Sequence, residues 1–91
     1  MTVRVSYFGQ LASLASVASE TYSLPADASL VDVLASLRER HREKLAPVLF
    51  EGEALRKSVL VFQSGSQVRP ANTVPIKDGD ELLLMLPIAG G

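Results

Sequence analysis

The stretch Glu81-Leu82-Leu83-Leu84-Met85-Leu86-Pro87-Ile88-Ala89-Gly90-Gly91 decides how this chain is organised. The alternation of a strand would place its apolar side chains on two faces, with Leu82, Leu84 and Leu86 on one and Leu83 and Met85 on the other. Because a proline cannot donate the next ladder hydrogen bond, we expect the strand to end at Pro87 and residues 87–91 to form an extended tail. The paired glycines Gly90 and Gly91 lack a Cβ, so the tail could thread a narrow slot; a frayed terminus is the alternative.

The two apolar faces of this last strand differ in size. One helix covers only one face of a small sheet, and we expect it to cover the three leucines because they bury more area. Leu83 and Met85 would then face solvent at the root of the tail, where an exposed apolar patch marks a partner site. The alternative is a central strand that is buried on both faces.

Composition excludes several classes of function. The 91 residues suit one domain, with 47% apolar and 21% charged residues, as in folded proteins. The net charge of −1 provides no field for nucleic acid or an acidic membrane. The absence of cysteine excludes disulfides, thiolate nucleophiles and cysteine-based metal sites. Neither a signal peptide nor an apolar run near the ~20 residues of a membrane span is found, so we expect a cytoplasmic protein.

The residues before the last strand predict further strands and one long helix. Alternation predicts strands at 2–8 and 20–24, joined by a short helix within 10–18 and paired antiparallel. Ser29 is a good N-cap for the main helix, and Asp32 adds a carboxylate to its first turn. An apolar stripe continues the helix towards Pro47, formed by Leu30, Val33, Leu34, Leu37, His41 and Leu45.

After this helix the pattern returns to strands. We expect a turn at 51–53, a strand at 58–63, a short edge piece at 67–70, a turn at 77–80 and the last strand at 81–86. The first and last strands would pair centrally and in parallel, with the helix across one face. This is an α+β fold, the β-grasp, with a mixed four- to five-stranded sheet in residues 1–86 and the tail in 87–91.

Several stretches together resemble the MoaD/ThiS family of sulfur carriers, which are ubiquitin-like β-grasp proteins. They are residues 3–11, 29–37, 75–81 and the ending 86–91, and the likeness covers nearly the whole chain. Within the family, the chain is most similar to the small subunit of molybdopterin synthase. It departs from the family at two places. Ala12-Ser13 stands where a charged pair is often found, and Ile88 stands where a second proline would fit the family pattern.

The resemblance implies a chemistry for the tail. The Gly91 carboxylate, presented with Gly90, would be adenylated by a ubiquitin-activating-type adenylyltransferase and converted by a sulfur donor to a thiocarboxylate. Leu83, Met85, Pro87, Ile88 and Ala89 would contact the partners, which include the synthase large subunit. This chain would bind no cofactor or metal of its own, and ATP and Mg²⁺ would be held by the activating partner. It would supply position rather than catalytic side chains.

Other functions stay open at this point. The same activated tail could be joined to lysines, as in a protein modifier, or could feed cysteine or thiamine synthesis. A plain interaction module with incidental glycines is a third possibility.

Three other groups of polar residues have structural explanations. His41, the only histidine, would interact with the helix dipole at the edge of the core rather than act in catalysis. Asp78, Asp80 and Glu81 are typical of a turn rather than a metal site. The basic run 38–44 contains two glutamates and suits a solvated helix end rather than a nucleic-acid surface.

Overall fold

The computed structural model describes residues 1–69 and 75–87. Its elements in chain order are β1 (Thr2–Tyr7), α1 (Gln10–Ala15), β2 (Ser19–Ser23), α2 (Leu30–Arg40), α3 (Ala46–Leu49), β3 (Phe50–Glu51), β4 (Ala54–Leu55), β5 (Leu60–Gln63), β6 (Ser66–Val68) and β7 (Glu81–Met85). Five strands form one sheet in the order β2-β1-β7-β5-β6, and β3 and β4 form a separate pair. No helix within the described ranges is long and apolar enough to cross a membrane.

The centre of the sheet is the predicted parallel pair of first and last strands. In β1 and β7, Val5 lies beside Leu82 and Tyr7 beside Leu84. The neighbours β2 and β5 are antiparallel to β1 and β7. With α2 across one face, this is the mixed five-stranded β-grasp that the sequence predicted.

The main helix begins where the sequence predicted and ends earlier. The Ser29 backbone N–H donates to Asp32 Oδ2 at 2.9 Å, which satisfies one donor at the helix start. The stripe predicted one helix reaching towards Pro47, but α2 ends at Arg40, and His41 is its C-cap. In a continuous helix the proline ring would clash with the carbonyl of Glu43. The chain turns at 41–45 and restarts as α3, and Pro47 lies in the first turn of α3, where its missing N–H leaves no hydrogen bond unmade.

The shorter elements lie where the sequence predicted them and differ in extent. The short helix predicted within 10–18 is α1, and it ends at Ala15 because Ser16 adopts a left-handed conformation with φ of 64°. The turn predicted at 51–53 is the tip of the β3–β4 hairpin, where Gly52 has φ of 66°. The edge piece predicted at 67–70 is β6, and residue 70 lies outside the described ranges.

One core lies between the sheet and the helices. It joins alternate residues of the strands with the apolar side of α2 and with residues near α3: Val3, Val5, Tyr7, Val61, Leu82, Leu84, Leu30, Val33, Leu34, Leu37, Leu45 and Leu49. In β7, Leu82 and Leu84 are buried, whereas Leu83 and Met85 are half-buried. The three-leucine face is thus the covered one, with Leu86 half-buried and packed against the core.

Candidate functional site at the carboxyl end of the sheet

The candidate site begins where β7 ends. Met85 is its last residue, and the exposed Pro87 is the last residue that the structure describes. The remaining predicted site residues, Ile88, Ala89, Gly90 and Gly91, lie outside the described ranges. The part of the site that the structure describes is the surface at the root of the tail.

Strand pairing adds two residues to Leu83 and Met85. In the antiparallel pair of β5 and β7, Leu60 lies opposite Met85 and Phe62 opposite Leu83. Directly opposed residues point to the same face of a sheet. All four are half-buried, so four apolar side chains meet on the face that α2 leaves uncovered.

Two further apolar residues extend this surface just beyond the end of β1 and the start of β2. The Phe8 N–H donates to the Leu84 carbonyl at 3.0 Å, which continues the parallel register and places Phe8 beside Met85. The Tyr7 N–H donates to the Ala18 carbonyl at 2.8 Å, which places Val17 beside Phe8. Phe8 is 54% and Val17 41% exposed. We name the six residues Leu60, Phe62, Leu83, Met85, Phe8 and Val17 the outer patch.

Polar side chains occupy the other part of the same face. They belong to β1, β2, β6 and the start of β7: Thr2, Arg4, Ser6, Ser19, Thr21, Ser23, Gln67 and Glu81. Arg4 and Glu81 approach to 4.0 Å across the central strands, and both side chains are exposed. The apolar residues are therefore concentrated at the end of the sheet from which the tail departs.

Sequence reasoning missed four members of the outer patch. Leu60 and Phe62 stood within a run that is apolar on both faces, so no alternation marked them as exposed. The exposure of Phe8 could have been predicted, because the alternation of β1 places it on the same outward face as Thr2, Arg4 and Ser6. The exposure of Val17 could not, since its position depends on the turn after α1.

A second cluster of polar groups surrounds Glu20 on the helix side of the sheet. Its carboxylate accepts hydrogen bonds from the hydroxyls of Tyr7 and of Tyr22, the latter at 2.8 Å. His41 Nε2 lies 2.5 Å from Glu20 Oε2, and an Arg40 guanidinium nitrogen lies 3.4 Å from Glu20 Oε1. The Arg40 guanidinium also lies over the Tyr22 ring, 4.0 Å from its centroid. The carboxylate thus ties β1, β2 and the end of α2 together.

The protonation states in this cluster follow from burial and hydrogen bonding. Burial alone would raise the pKa of Glu20, but hydrogen bonds from Tyr7, His41 and Tyr22 outweigh it and lower that pKa. Burial, with hydrogen bonding to the carboxylate, raises the pKa of Tyr7 far above its usual range. Burial likewise raises the pKa of Tyr22 to about 12. At neutral pH both tyrosines are therefore donors and Glu20 is the anion.

The aspartates of the turn at 77–80 accept hydrogen bonds from backbone N–H groups. Asp78 Oδ1 accepts the Thr2 N–H at 2.7 Å, and Asp80 Oδ2 accepts the Lys77 N–H at 2.8 Å. Asp80 also accepts from Gln63 Nε2 at 3.0 Å, and Gly79 between the two aspartates has φ of 87°. These contacts are those of the predicted turn. Within residues 1–69 and 75–87, no three metal-binding side chains gather into a possible site.

The basic run at the end of α2 is used for local contacts. Arg38 donates to the Gly52 carbonyl at 3.3 Å, and Arg40 donates to the Thr21 carbonyl at 3.1 Å. Arg42 forms an ion pair with Glu39 at 3.2 Å on the exposed side of the chain. This arrangement is that of a solvated helix end.

A family comparison decides what kind of protein carries this surface. The model of the ThiS family matches residues 5–91. The chain belongs to the ThiS family. It is a ubiquitin-like sulfur carrier of the MoaD/ThiS type, as the resemblance in the sequence predicted.

Individual relatives of this ThiS-family chain bear different names. The molybdopterin synthase sulfur carrier subunit of Chlamydomonas reinhardtii is 30% identical over 91 residues, covering 100% of both chains. The solution structure of small archaeal modifier protein 1 from Methanosarcina acetivorans is 26% identical, with a TM-score of 0.83 over 99% of this chain and 96% of that one. A putative molybdopterin converting factor, subunit 1, from Pyrococcus furiosus is 25% identical, with a TM-score of 0.76 over 97% and 99%.

Proposed function

We propose that this chain is the sulfur-donating small subunit of a molybdopterin synthase and carries the sulfur as a thiocarboxylate on Gly91. The supporting observation is the full-length similarity, at 30% identity, to a molybdopterin synthase sulfur carrier subunit. The position of the outer patch at the root of the tail agrees with this role, because a partner that receives the tail can bind the patch at the same time.

The chemistry of the proposed role begins at the terminal carboxylate. A carboxylate resists nucleophiles because it is anionic and its oxygen is a poor leaving group. An adenylyltransferase removes both obstacles: the carboxylate attacks the α-phosphate of ATP, and pyrophosphate leaves. Sulfur at the sulfide level then attacks the acyl carbon, a C–S bond forms and AMP leaves, which yields the thiocarboxylate without any change of oxidation state. ATP and Mg²⁺ are held by the activating partner in this scheme.

Partner binding in this proposal uses the outer patch together with the tail. We commit the patch to a ubiquitin-activating-type adenylyltransferase, which must hold the folded part while the tail reaches its ATP site. Leu83, Met85 and Pro87 would lie at the centre of the contact, with Ile88 and Ala89 guiding the last glycines. The same tail then delivers sulfur to the synthase large subunit, so the two partners bind in succession.

The test of the carrier chemistry is the mass of the protein purified from its own host. We expect a fraction whose mass reflects exchange of one oxygen for sulfur, located at Gly91 by fragmentation. Incubation with the adenylyltransferase, ATP, Mg²⁺ and a sulfur donor should increase that fraction. An unchanged carboxylate under all these conditions would contradict the proposal. Transfer to the large subunit, measured as loss of the sulfur when a pterin precursor is added, tests the pathway.

A second candidate function is conjugation to proteins. The similarity at 26% identity to small archaeal modifier protein 1 favours it. In this case the activated Gly91 forms an isopeptide bond with a lysine amine. An affinity-tagged form expressed in the host should then show a ladder of conjugates, absent when Gly91 is deleted. A single unconjugated band under every growth condition would exclude this role.

A further inference from the structure

Met85 is the one sulfur-bearing side chain in the outer patch. The chain has two methionines and no cysteine. Met85 is half-buried at the end of β7, opposite Leu60 and beside Phe8 in the register. Its thioether therefore lies within an apolar surface, directly before the root of the tail.

The other methionine lies in different surroundings. Met1 is also half-buried, but it packs against the hydrophobic core, and its ammonium group donates to the Leu24 carbonyl at 2.7 Å. Met85 instead points to the face of β7 opposite the buried Leu82 and Leu84. Because Met85 is only half-buried and lies on the face of β7 away from the core, its oxidation requires no opening of the core.

We propose that Met85 is a reversible oxidation site that regulates binding of the adenylyltransferase; this inference rests on the proposed function. A peroxide is the oxidant. The thioether sulfur attacks one peroxide oxygen, an S–O bond forms, the O–O bond breaks, and water leaves when hydrogen peroxide is the reagent. The sulfur is oxidised by two electrons and the peroxide is reduced by two. A methionine sulfoxide reductase reverses the change.

Oxidation would alter the outer patch far more than the fold. A sulfoxide is polar and accepts hydrogen bonds, so burying it against an apolar partner leaves its oxygen desolvated and unpaired. Leu60, Phe62, Leu83, Phe8 and Val17 offer no side-chain donor to it. Because Met85 lies outside the core, the oxidised chain keeps its fold and loses partner affinity, which stops sulfur loading under oxidising conditions.

The experiment uses the full chain with the adenylyltransferase of its host. The chain is purified without sulfur on Gly91 and treated with hydrogen peroxide. Because a thiocarboxylate at Gly91 and an oxygen on Met85 add nearly the same mass, fragmentation is used to show that the added mass lies on Met85. Calorimetric titration then gives Kd for the treated and untreated chains. We expect oxidation of Met85 to raise Kd by about tenfold or more, and reductase treatment to restore it. Circular dichroism should show an unchanged fold.

The matched variants are Met85→Leu and Met85→Gln. Met85→Leu retains Met1, so its Kd should be the same before and after peroxide, whatever its starting value. Met85→Gln mimics the polar sulfoxide and should bind weakly without peroxide. Equal Kd for oxidised and unoxidised wild type, or unfolding of the oxidised chain, would overturn the inference alone. Failure of the untreated chain to bind would overturn the proposed docking and this inference with it.

Discussion

At the scale of single residues, Glu20 is the most connected polar group described. Its carboxylate accepts from Tyr7, Tyr22, His41 and Arg40. Hydrogen bonds to an ionised acceptor in a partly buried site are stronger than neutral ones. The same carboxylate is costly to leave unpaired, so its contribution to stability depends on the whole cluster.

This cluster predicts a pH dependence of stability. Because the pKa of Glu20 is lowered in the folded chain, ionised Glu20 stabilises the fold above the ordinary carboxyl pKa of 4.5. That contribution is lost as pH falls through the folded value. We expect Glu20→Gln to reduce the free energy of unfolding by about 1–3 kcal/mol at pH 7, and by less at pH 3. Urea unfolding at both pH values measures this.

A matched carboxylate serves as the control. Glu43 is exposed in the turn after α2, so Glu43→Gln should leave the urea midpoint nearly unchanged. A Glu20→Gln loss that stays constant down to pH 3 would show that the charge of Glu20 does not contribute.

At the scale of elements, β7 combines two tasks on its two faces. Leu82 and Leu84 complete the core, whereas Leu83 and Met85 belong to the outer patch. Adjacent residues of one strand therefore contribute to different properties of the protein. This separation can be measured, because stability and partner binding have independent readouts.

Substitution of two neighbouring leucines tests the two faces. Leu84 is 0% exposed, so Leu84→Ala leaves a cavity and should reduce the free energy of unfolding by about 2–5 kcal/mol. Leu83→Ala should cost about 1 kcal/mol or less, because this side chain already meets solvent. It should instead raise Kd for the adenylyltransferase by about tenfold, as truncation at the centre of an interface does.

The pair is its own control, since both variants remove the same atoms from the same strand. Binding should be compared at a temperature where Leu84→Ala remains folded. If Leu83→Ala bound as tightly as wild type, the outer patch would not be the docking surface.

At the scale of the whole molecule, the fold gathers the outer patch at the end of the sheet where the tail departs. Four strands contribute or adjoin its residues, and none of these residues belongs to the main helix. A partner that binds this end meets an apolar surface and the start of the tail together.

Changes at Gly91 test whether the chain end is the reacting group. Deletion of Gly91 should abolish thiocarboxylate formation, since the carboxylate then falls one residue short of its site, while the urea midpoint stays unchanged. Gly91→Ala keeps the carboxylate in place but adds a Cβ and should reduce the rate of adenylation, measured as pyrophosphate release. Full activity of the deletion would exclude the proposed chemistry.

Much of the fold was predictable because local patterns agree with it. Ser29 and Asp32 marked the start of the main helix, and the alternation of β1 with the apolar run of β7 marked a central pair. Pro47 predicted a stop, but the end of α2 at Arg40 was not predictable from the stripe, because His41 and Leu45 keep helical spacing beyond it. The β3–β4 hairpin was missed because two-residue strands carry no alternation.

The sequence by itself determined the α+β class, the family, the two faces of the last strand and the candidate chemistry of its glycine ending, since these depend on short-range alternation, capping and a local motif. Only the tertiary structure brought Phe8 and Leu60 to Met85, and His41 to Glu20. The physical reason is that strand register and side-chain hydrogen bonds across 20 or so residues are set by packing of the whole core, which no local pattern encodes.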